Sequence, residues 1–403
     1  MPNLLAKLPC EAQKIFAIFG ADICLVGGAV RDLLLHKTTC DYDFCSLLAP
    51  KQVQEKLHQH HIKSLDINAK YGTIIALMGN YQLQITTART EKNFAGRACE
   101  VEFDVGNYLQ DAGRRDFTIN ALYLNFSGEV LDFYAGKQHL AEQKIEFIGD
   151  AKARIIEDHL RILRFFRFNI YYSKNYQPKQ LAVCLQYSSL LSKISKPRIR
   201  QEMLKILLSW HYFHPIFVFL NDLADFTGWR LRIEVLQKVA AKTKPKETDI
   251  LLALAVLDAN FDLNEMAKIL CLTRAEKKLF YHLQNHRKIL QNLDQSNVVC
   301  QLILVALNFE GDYLQKLLLF LWAENILSDA DYQKFLAESE VWQQKTLPIS
   351  VEDLMQIGVP KQHLGQSLQQ LKKIWAEQNL LSNKEQLLGL FINNHLIPIP
   401  IFK

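Results

Sequence analysis

Leu25-Val26-Gly27-Gly28-Ala29-Val30-Arg31-Asp32, followed closely by Asp41-Tyr42-Asp43, decides the reading of this 403-residue chain. An apolar run leads into a glycine pair, an arginine and two carboxylates, all between Gly27 and Asp43. Glycines let backbone N–H groups approach a phosphate, because no Cβ stands in the way. Aspartates at i and i+2 of a strand face the same side of a sheet. Two such carboxylates suit a pair of Mg2+ ions, which take carboxylate oxygens together with phosphate and water. Alone, Asp-x-Asp is more often a polar turn, and Gly-Gly more often a tight one. The ordered combination is much rarer and reads as a metal–nucleotide site at the edge of a sheet.

Outward from this stretch, glycine divides the chain. Eleven of the sixteen glycines fall at or before Gly149. The same third carries short alternating or β-branched runs at Ile23–Val26, Thr73–Met78, Gln82–Thr87 and Ala121–Phe126, which predict strands. Beyond about Asp150 the pattern becomes Leu-rich with helical period, in Arg198–Leu208, Ile250–Leu257, Glu265–Leu272, Gln301–Leu307, Tyr313–Trp322 and Leu364–Trp375. Pro178, Pro197, Pro215, Pro245 and Pro348 fall between such segments, where helices should end. The expectation is an α/β head with a mixed sheet, followed by a long all-α part.

A second block reads Arg114-Arg115-Asp116-Phe117-Thr118-Ile119-Asn120-Ala121-Leu122. Its arginines offer forked donors for triphosphate oxygens, and its aspartate and asparagine can hold ribose hydroxyls. A surface turn with a local Arg–Asp pair is the bland alternative. A third block runs from Arg154 to Phe168. At helical spacing Arg154, Glu157, Asp158, Arg161 and Arg164 form one polar stripe. As a solvated face it would be laced by Arg154–Asp158 and Glu157–Arg161 pairs. As a functional face it would aim Asp158 and Arg161 together at the Watson–Crick edge of a base.

These three blocks, in this order and spacing, resemble the bacterial and eukaryotic (class II) tRNA nucleotidyltransferase and poly(A) polymerase family, most nearly a bacterial CCA-adding enzyme. That family's head has the DNA polymerase β-like nucleotidyltransferase fold. The resemblance is specific from about residue 24 to 168 and continues more weakly to the end. Leu131-Asp132-Phe133-Tyr134-Ala135-Gly136 is similar to its short hinge-like motif, and Val351–Trp375 to its tail. It implies a head at 1–140, a neck of nucleotide-selecting helices at 141–210, an all-α body at 211–295 and an all-α, tRNA-binding tail at 296–403. It implies that Asp41 and Asp43 are catalytic and hold Mg2+. Gly27, Gly28 and Arg31 would contact the triphosphate, and Arg115, Asp116 and Asn120 the sugar and phosphates. Asp158 and Arg161, with Arg164 beside them, would select C or A, with Glu157 in support. Two departures stand out. Gln84 occupies a place where relatives often carry Glu, so no third metal ligand is assigned. The neck's Glu-Arg-x-x-x-Glu becomes Pro197-Arg198-Ile199-Arg200-Gln201-Glu202, leaving Arg198 and Glu202 as an i,i+4 pair to stiffen the neck.

Within the family, Lys70-Tyr71-Gly72-Thr73 resembles the tRNA-specific branch. The polar loop Arg89–Arg97 favours full CCA addition over a stop after CC. The implied activity is template-independent addition of CCA to tRNA from CTP and ATP. A poly(A) polymerase, a partial CC- or A-adding enzyme, or a silent RNA-binding protein are the alternatives. A net charge of +5 permits an RNA partner without demanding one. Lys193, Lys196, Arg198, Arg200, Arg230 and Arg232 could contact tRNA phosphates or could form a solvated face. Eight scattered cysteines without a CxxC pair speak against structural zinc and a disulfide scaffold, and free thiols suggest a cytoplasmic protein. No run suits a membrane span, so no membrane partner is expected.

Overall fold

The computed structural model describes residues 4–39, 41–68, 72–88, 90–95, 98–102, 107–212, 214–242 and 262–394. The chain divides into two compact units, residues 1–231 and 232–403.

The first unit is built on a mixed seven-stranded sheet. Its strands are β1 (Ile23–Val26), β2 (Asp43–Ser46), β3 (Lys63–Asn68), β4 (Thr73–Met78), β5 (Tyr81–Thr87), β8 (Leu122–Asn125) and β9 (Val130–Asp132). Their order is β3-β4-β5-β2-β1-β8-β9. Strand β1 is apolar and buried at all four positions, as a central strand covered on both faces must be. It pairs antiparallel with β2 and β8, whereas β2 and β5 run parallel. Between β5 and β8, β6 (Thr90–Ala95) and β7 (Ala98–Glu102) form a separate antiparallel hairpin. The segment Arg89–Arg97, expected as a loop, is therefore largely strand. Arg89, Gly96 and Arg97 lie outside the described residues, as do Lys70 and Tyr71 of the Lys70–Thr73 motif.

Helix α1 (Cys10–Phe19) buries Ala12, Ile15, Phe16 and Phe19, with Phe16 edge-on to Phe44 of β2 at 5.5 Å. Helix α2 (Gly28–Leu34) follows β1 directly, and α3 (Pro50–Gln59) buries Val53 and Leu57, one turn apart. After α4 (Tyr108–Gly113) and a 3-10 turn at Thr118–Asn120, the sheet is completed and α5 (Gly136–Ala141) begins. Asp132 caps α5, accepting from the N–H of Gly136 at 2.8 Å and of Lys137 at 2.9 Å.

The polar stripe expected from Arg154 to Arg164 is not one helix. Helix α6 (Ala151–Glu157) ends at Asp158, whose φ of −142° and ψ of 106° are extended, and α7 (Arg161–Tyr172) starts three residues later. Asp158 turns its carboxylate to the Leu160 N–H (3.2 Å), the local side-chain bond with which aspartate competes against helix. Helices α8 (Pro178–Gln186) and α9 (Lys196–Leu208) complete the neck, and α7 packs on α9. Pro178 and Pro197 lie inside the first turns of these helices rather than beyond their ends, where a missing N–H costs nothing.

Among its described residues the second unit is all helical, with helices at Ile233–Lys242, Leu263–Ile269, Arg274–Leu290, Gln295–Asn308, Tyr313–Ala323, Asp329–Gln344, Val351–Gln356, Leu364–Glu377 and Lys384–Asn394. Tyr313–Ala323 is apolar nearly all round and correspondingly buried. The expected helix at Ile250–Leu257 lies outside the described residues. Among those described, no helix is long and apolar enough to cross a membrane.

Candidate active site

The turn between β1 and α2 is set by Gly27, at φ 76° and ψ −129°, a backbone region that a side chain strongly disfavours. A Cβ there would also stand 3.3 Å from Arg115 Nη1. The Gly27 N–H donates to Leu122 O at 3.1 Å, tying the turn to β8. Strand register then brings the carboxylates alongside: Val26 lies opposite Asp43 on one side and Tyr123 on the other. Asp41 precedes β2, yet Asp41, Tyr42 and Asp43 alternate exposed, buried, exposed, so the two carboxylates share the open side. Tyr42 turns inward against Tyr81, their rings 5.9 Å apart. Asp43 is open to solvent at its rim, but the protein wall around it raises its carboxyl pKa by desolvation. Arg115 opposes that shift and Asp41 adds to it. Gln84 is the register partner of Asp43 on β5, so the departure noted in the sequence falls beside the carboxylate pair.

The second block is anchored from beneath. Arg115 donates to Tyr123 Oη at 3.0 Å and to Asp111 at 3.0 Å. Asp111 is wholly buried and also accepts from Arg114 (2.8 Å) and Tyr123 Oη (2.6 Å). Burial alone would raise its pKa, but Arg115 and Arg114 pull it down to about 2. Asp116, also buried, accepts from the Phe117 N–H, Asn120 Nδ2 and Arg164 Nε at 2.8, 3.0 and 2.7 Å. Burial pushes its carboxyl up, and the Arg164 charge, helped by Asn120, brings it below the usual range. Asn120 Oδ1 in turn accepts from Arg31 Nη1 at 2.6 Å. Arg31, expected at the triphosphate, is 6% exposed and already held by Asp32 and Asn120.

The third block knits neck to head. Arg161 donates to Glu157 (2.6 Å), to Arg154 O (2.9 Å) and to Arg114 O (2.8 Å), which commits three of its five N–H groups. Arg154 pairs with Glu157 at 3.0 Å rather than with Asp158, because the helix has ended. Asp158 is instead met by Arg198 at 3.3 Å, both half-exposed. The expected Arg198–Glu202 brace is replaced for a different reason: α9 packs against α7, so Glu202 is buried against Arg167 at 2.6 Å, with Arg164 at 4.0 Å and Lys205 at 3.7 Å. Arg232 is likewise no free cation, since it pairs with the buried Glu324 in the second unit.

The structure therefore brings Gly27, Gly28, Asp41, Asp43, Arg115, Asp116 and Asn120 together around one sheet end, with Arg164 joined to them through Asp116. Asp111 and Tyr123, which hold Arg115, were not singled out in the sequence. The spacing of four between Asp111 and Arg115 is the signal that could have found Asp111.

Comparison with known proteins agrees with this geometry. A family profile described as "Poly A polymerase head domain" matches residues 23–146, and one described as "Probable RNA and SrmB-binding site of polymerase A" matches 177–215. The mitochondrial CCA tRNA nucleotidyltransferase 1 of Homo sapiens is 30% identical over 410 residues, covering 93% of this chain and 88% of the relative. A Thermotoga maritima CCA-adding enzyme complexed with tRNA shares the fold, with a TM-score of 0.72 at 19% identity over 97% of this chain and 98% of that one. A Bacillus stearothermophilus CCA-adding enzyme in complex with CTP does so with a TM-score of 0.71 at 20% identity, over 96% and 98%. With a DNA polymerase β-like head, the ordered Asp-x-Asp and Arg-Arg-Asp blocks and a relative matched over nearly its whole length, the chain belongs to the class II tRNA nucleotidyltransferase and poly(A) polymerase family.

Proposed function

We propose that this protein adds CCA to the 3′ end of tRNA, using CTP and ATP and releasing pyrophosphate. The observation that carries the reading is the shared opening of Asp41 and Asp43 beside the Gly27 turn, in a chain of this family. Both carboxylates are hard oxygen donors open to solvent, which fits Mg2+, an ion that takes one or two carboxylates and fills its shell with phosphate and water. Among the described residues no group of three His, Cys, Asp or Glu side chains could hold a metal, so the substrate's own phosphates would complete the shell. Bound there, Mg2+ would activate the RNA 3′-hydroxyl and neutralise charge on the leaving pyrophosphate. The chain's own residues position the reactants: the Gly27-Gly28 turn admits the triphosphate, and Arg115 with Asn120 borders the sugar and phosphates. Asp158, whose contacts with Arg198 are long, is displaceable by a base edge, and Arg161 keeps N–H groups for the same edge. Positioning supplies most of the rate in such displacements.

The test uses tRNA transcripts ending before CCA, after one C and after CC, each incubated with Mg2+ and CTP, ATP or both. Two Cs followed by one A and a stop is the expected product. A long A tail would make the protein a poly(A) polymerase, and a stop after CC or a need for a CC end would make it a partial enzyme.

A further inference from the structure

Arg164, Phe168 and Tyr172 recur every fourth residue of α7 and so share one face of that helix. Arg164 from this face takes Asp116 of the second block, with Nη2 at 2.5 Å. The other two receive Arg31. Its guanidinium carbon lies 4.1 Å from the Tyr172 ring centroid and 5.4 Å from that of Phe168. Tyr172 also donates its hydroxyl to Asp32 Oδ1 at 3.2 Å. Asp32 in turn receives Arg31 Nε at 2.9 Å and Nη2 at 3.1 Å. Lys37 Nζ also stands 4.9 Å from the Tyr172 ring centroid, so two cations meet this one ring. The face of the Arg31 guanidinium is thus fixed by the neck and two of its edges by the head. Its Nη2 points back at the phosphate turn, 3.4 Å from where a Gly28 Cβ would stand.

Nothing in the proposed chemistry uses Tyr172, yet it is the residue that fixes the plane of Arg31. We infer that Tyr172 is a positioning residue for nucleotide binding: it acts through Arg31, setting the phosphate side of the pocket from the same helix whose first turn carries Arg161. This rests on the reading that the Gly27–Arg31 turn receives a triphosphate. A flat ring is what the task requires. It is attracted to the guanidinium face by its quadrupole, most strongly when both are out of water, and leaves the edges free for hydrogen bonds. An aliphatic side chain of similar bulk fills the space without orienting the cation.

The experiment measures equilibrium binding of CTP, ATP and CMP to the full chain, for wild type, Tyr172→Phe and Tyr172→Leu. Tyr172→Leu should weaken CTP and ATP alike by about tenfold, the factor that corresponds to about 1.4 kcal/mol, and leave CMP unchanged. Tyr172→Phe keeps the ring and should restore CTP binding. A general packing defect would instead lower CMP and CTP together, and would overturn the inference, as would CTP binding equal to wild type. If Tyr172→Leu melts below the assay temperature, Phe168→Leu carries the same test with the same two outcomes. Wild-type addition to a tRNA transcript is run beside it. Failure there removes the proposed activity, whereas normal addition with unchanged CTP binding in the variant removes only this inference.

Discussion

Glycine at 27 is required by a positive φ, and paired carboxylates at a strand end have no packing use. Asp43→Asn removes a charge that no neighbour replaces, since its register partner is the neutral Gln84. Addition of both C and A should fall about 100- to 1000-fold with the melting temperature unchanged. Survival of either addition in a primer-extension assay would dismiss the metal assignment. Gln84→Glu is the converse: a third carboxylate beside Asp43 should lower the Mg2+ concentration for half-maximal addition, and a titration with no leftward shift would place residue 84 outside the metal's reach. Asp111 and Tyr172 were not legible, because a lone carboxylate in a helix and an aromatic at a helix end usually belong to the surface and the core. Their roles exist only through Arg115 and Arg31: the i,i+4 spacing of Asp111 and Arg115 hints at the first contact, and no spacing encodes the second.

At the scale of elements, periodicity foretold existence better than continuity. Strands β1, β4, β5 and β8 and the helices Tyr313–Ala323 and Leu364–Glu377 follow their predicted runs closely. The α6–α7 break escaped notice because the polar stripe keeps its period through Asp158, while the backbone answers to that residue's side-chain bond with Leu160. The hairpin at β6–β7 was missed because its first strand opens on Thr90-Glu91-Lys92-Asn93, a polar run with no alternating apolar residue. The hinge-like motif shows a tighter constraint than its sequence suggests: a Cβ on Gly136 would fall 2.4 Å from Thr118 O, a backbone atom that cannot step aside. Gly136→Ala should therefore push α5 away from the Thr118–Asn120 turn and destabilise the first unit by about 1–3 kcal/mol. Because that turn carries Asn120, nucleotide affinity should fall as well. A chemical-denaturation midpoint identical to wild type would show that α5 tolerates the shift.

At the scale of the whole molecule, glycine distribution and helical period indicated an α/β part followed by an all-α part, but not which helices the head keeps. Amphipathic period says that a helix packs and not what it packs on. The first unit extends to Leu231 and includes the neck, as the bonds from α7 to Asp116 and Arg31 require. Its far end holds a titrating group that affects the stability of this unit. His214 is buried, with Nδ1 accepting from the Ile216 N–H at 3.1 Å, so its ring proton sits on Nε2, 3.0 Å from Ser173 Oγ. Burial lowers its pKa to about 4. An unfolded histidine titrates near 6.5, so the unfolded chain binds the proton first as pH falls, and stability present above about 6.5 is lost on the way to 4. Burial lowers His282 and His286 in the second unit as well, which adds the same sign. Asp111 acts lower: its stabilisation is lost progressively as pH falls from about 3.9, where the unfolded carboxylate protonates, to about 2, so the support beneath Arg115 outlasts the histidines. Between pH 7 and 5, before most carboxylates titrate, His214 should cost about 2 kcal/mol of stability. His214→Gln, whose amide oxygen can still accept the Ile216 N–H, should lose correspondingly less over the same interval. Urea unfolding at both pH values decides it: equal losses in wild type and variant would mean that protonated His214 finds room in the fold.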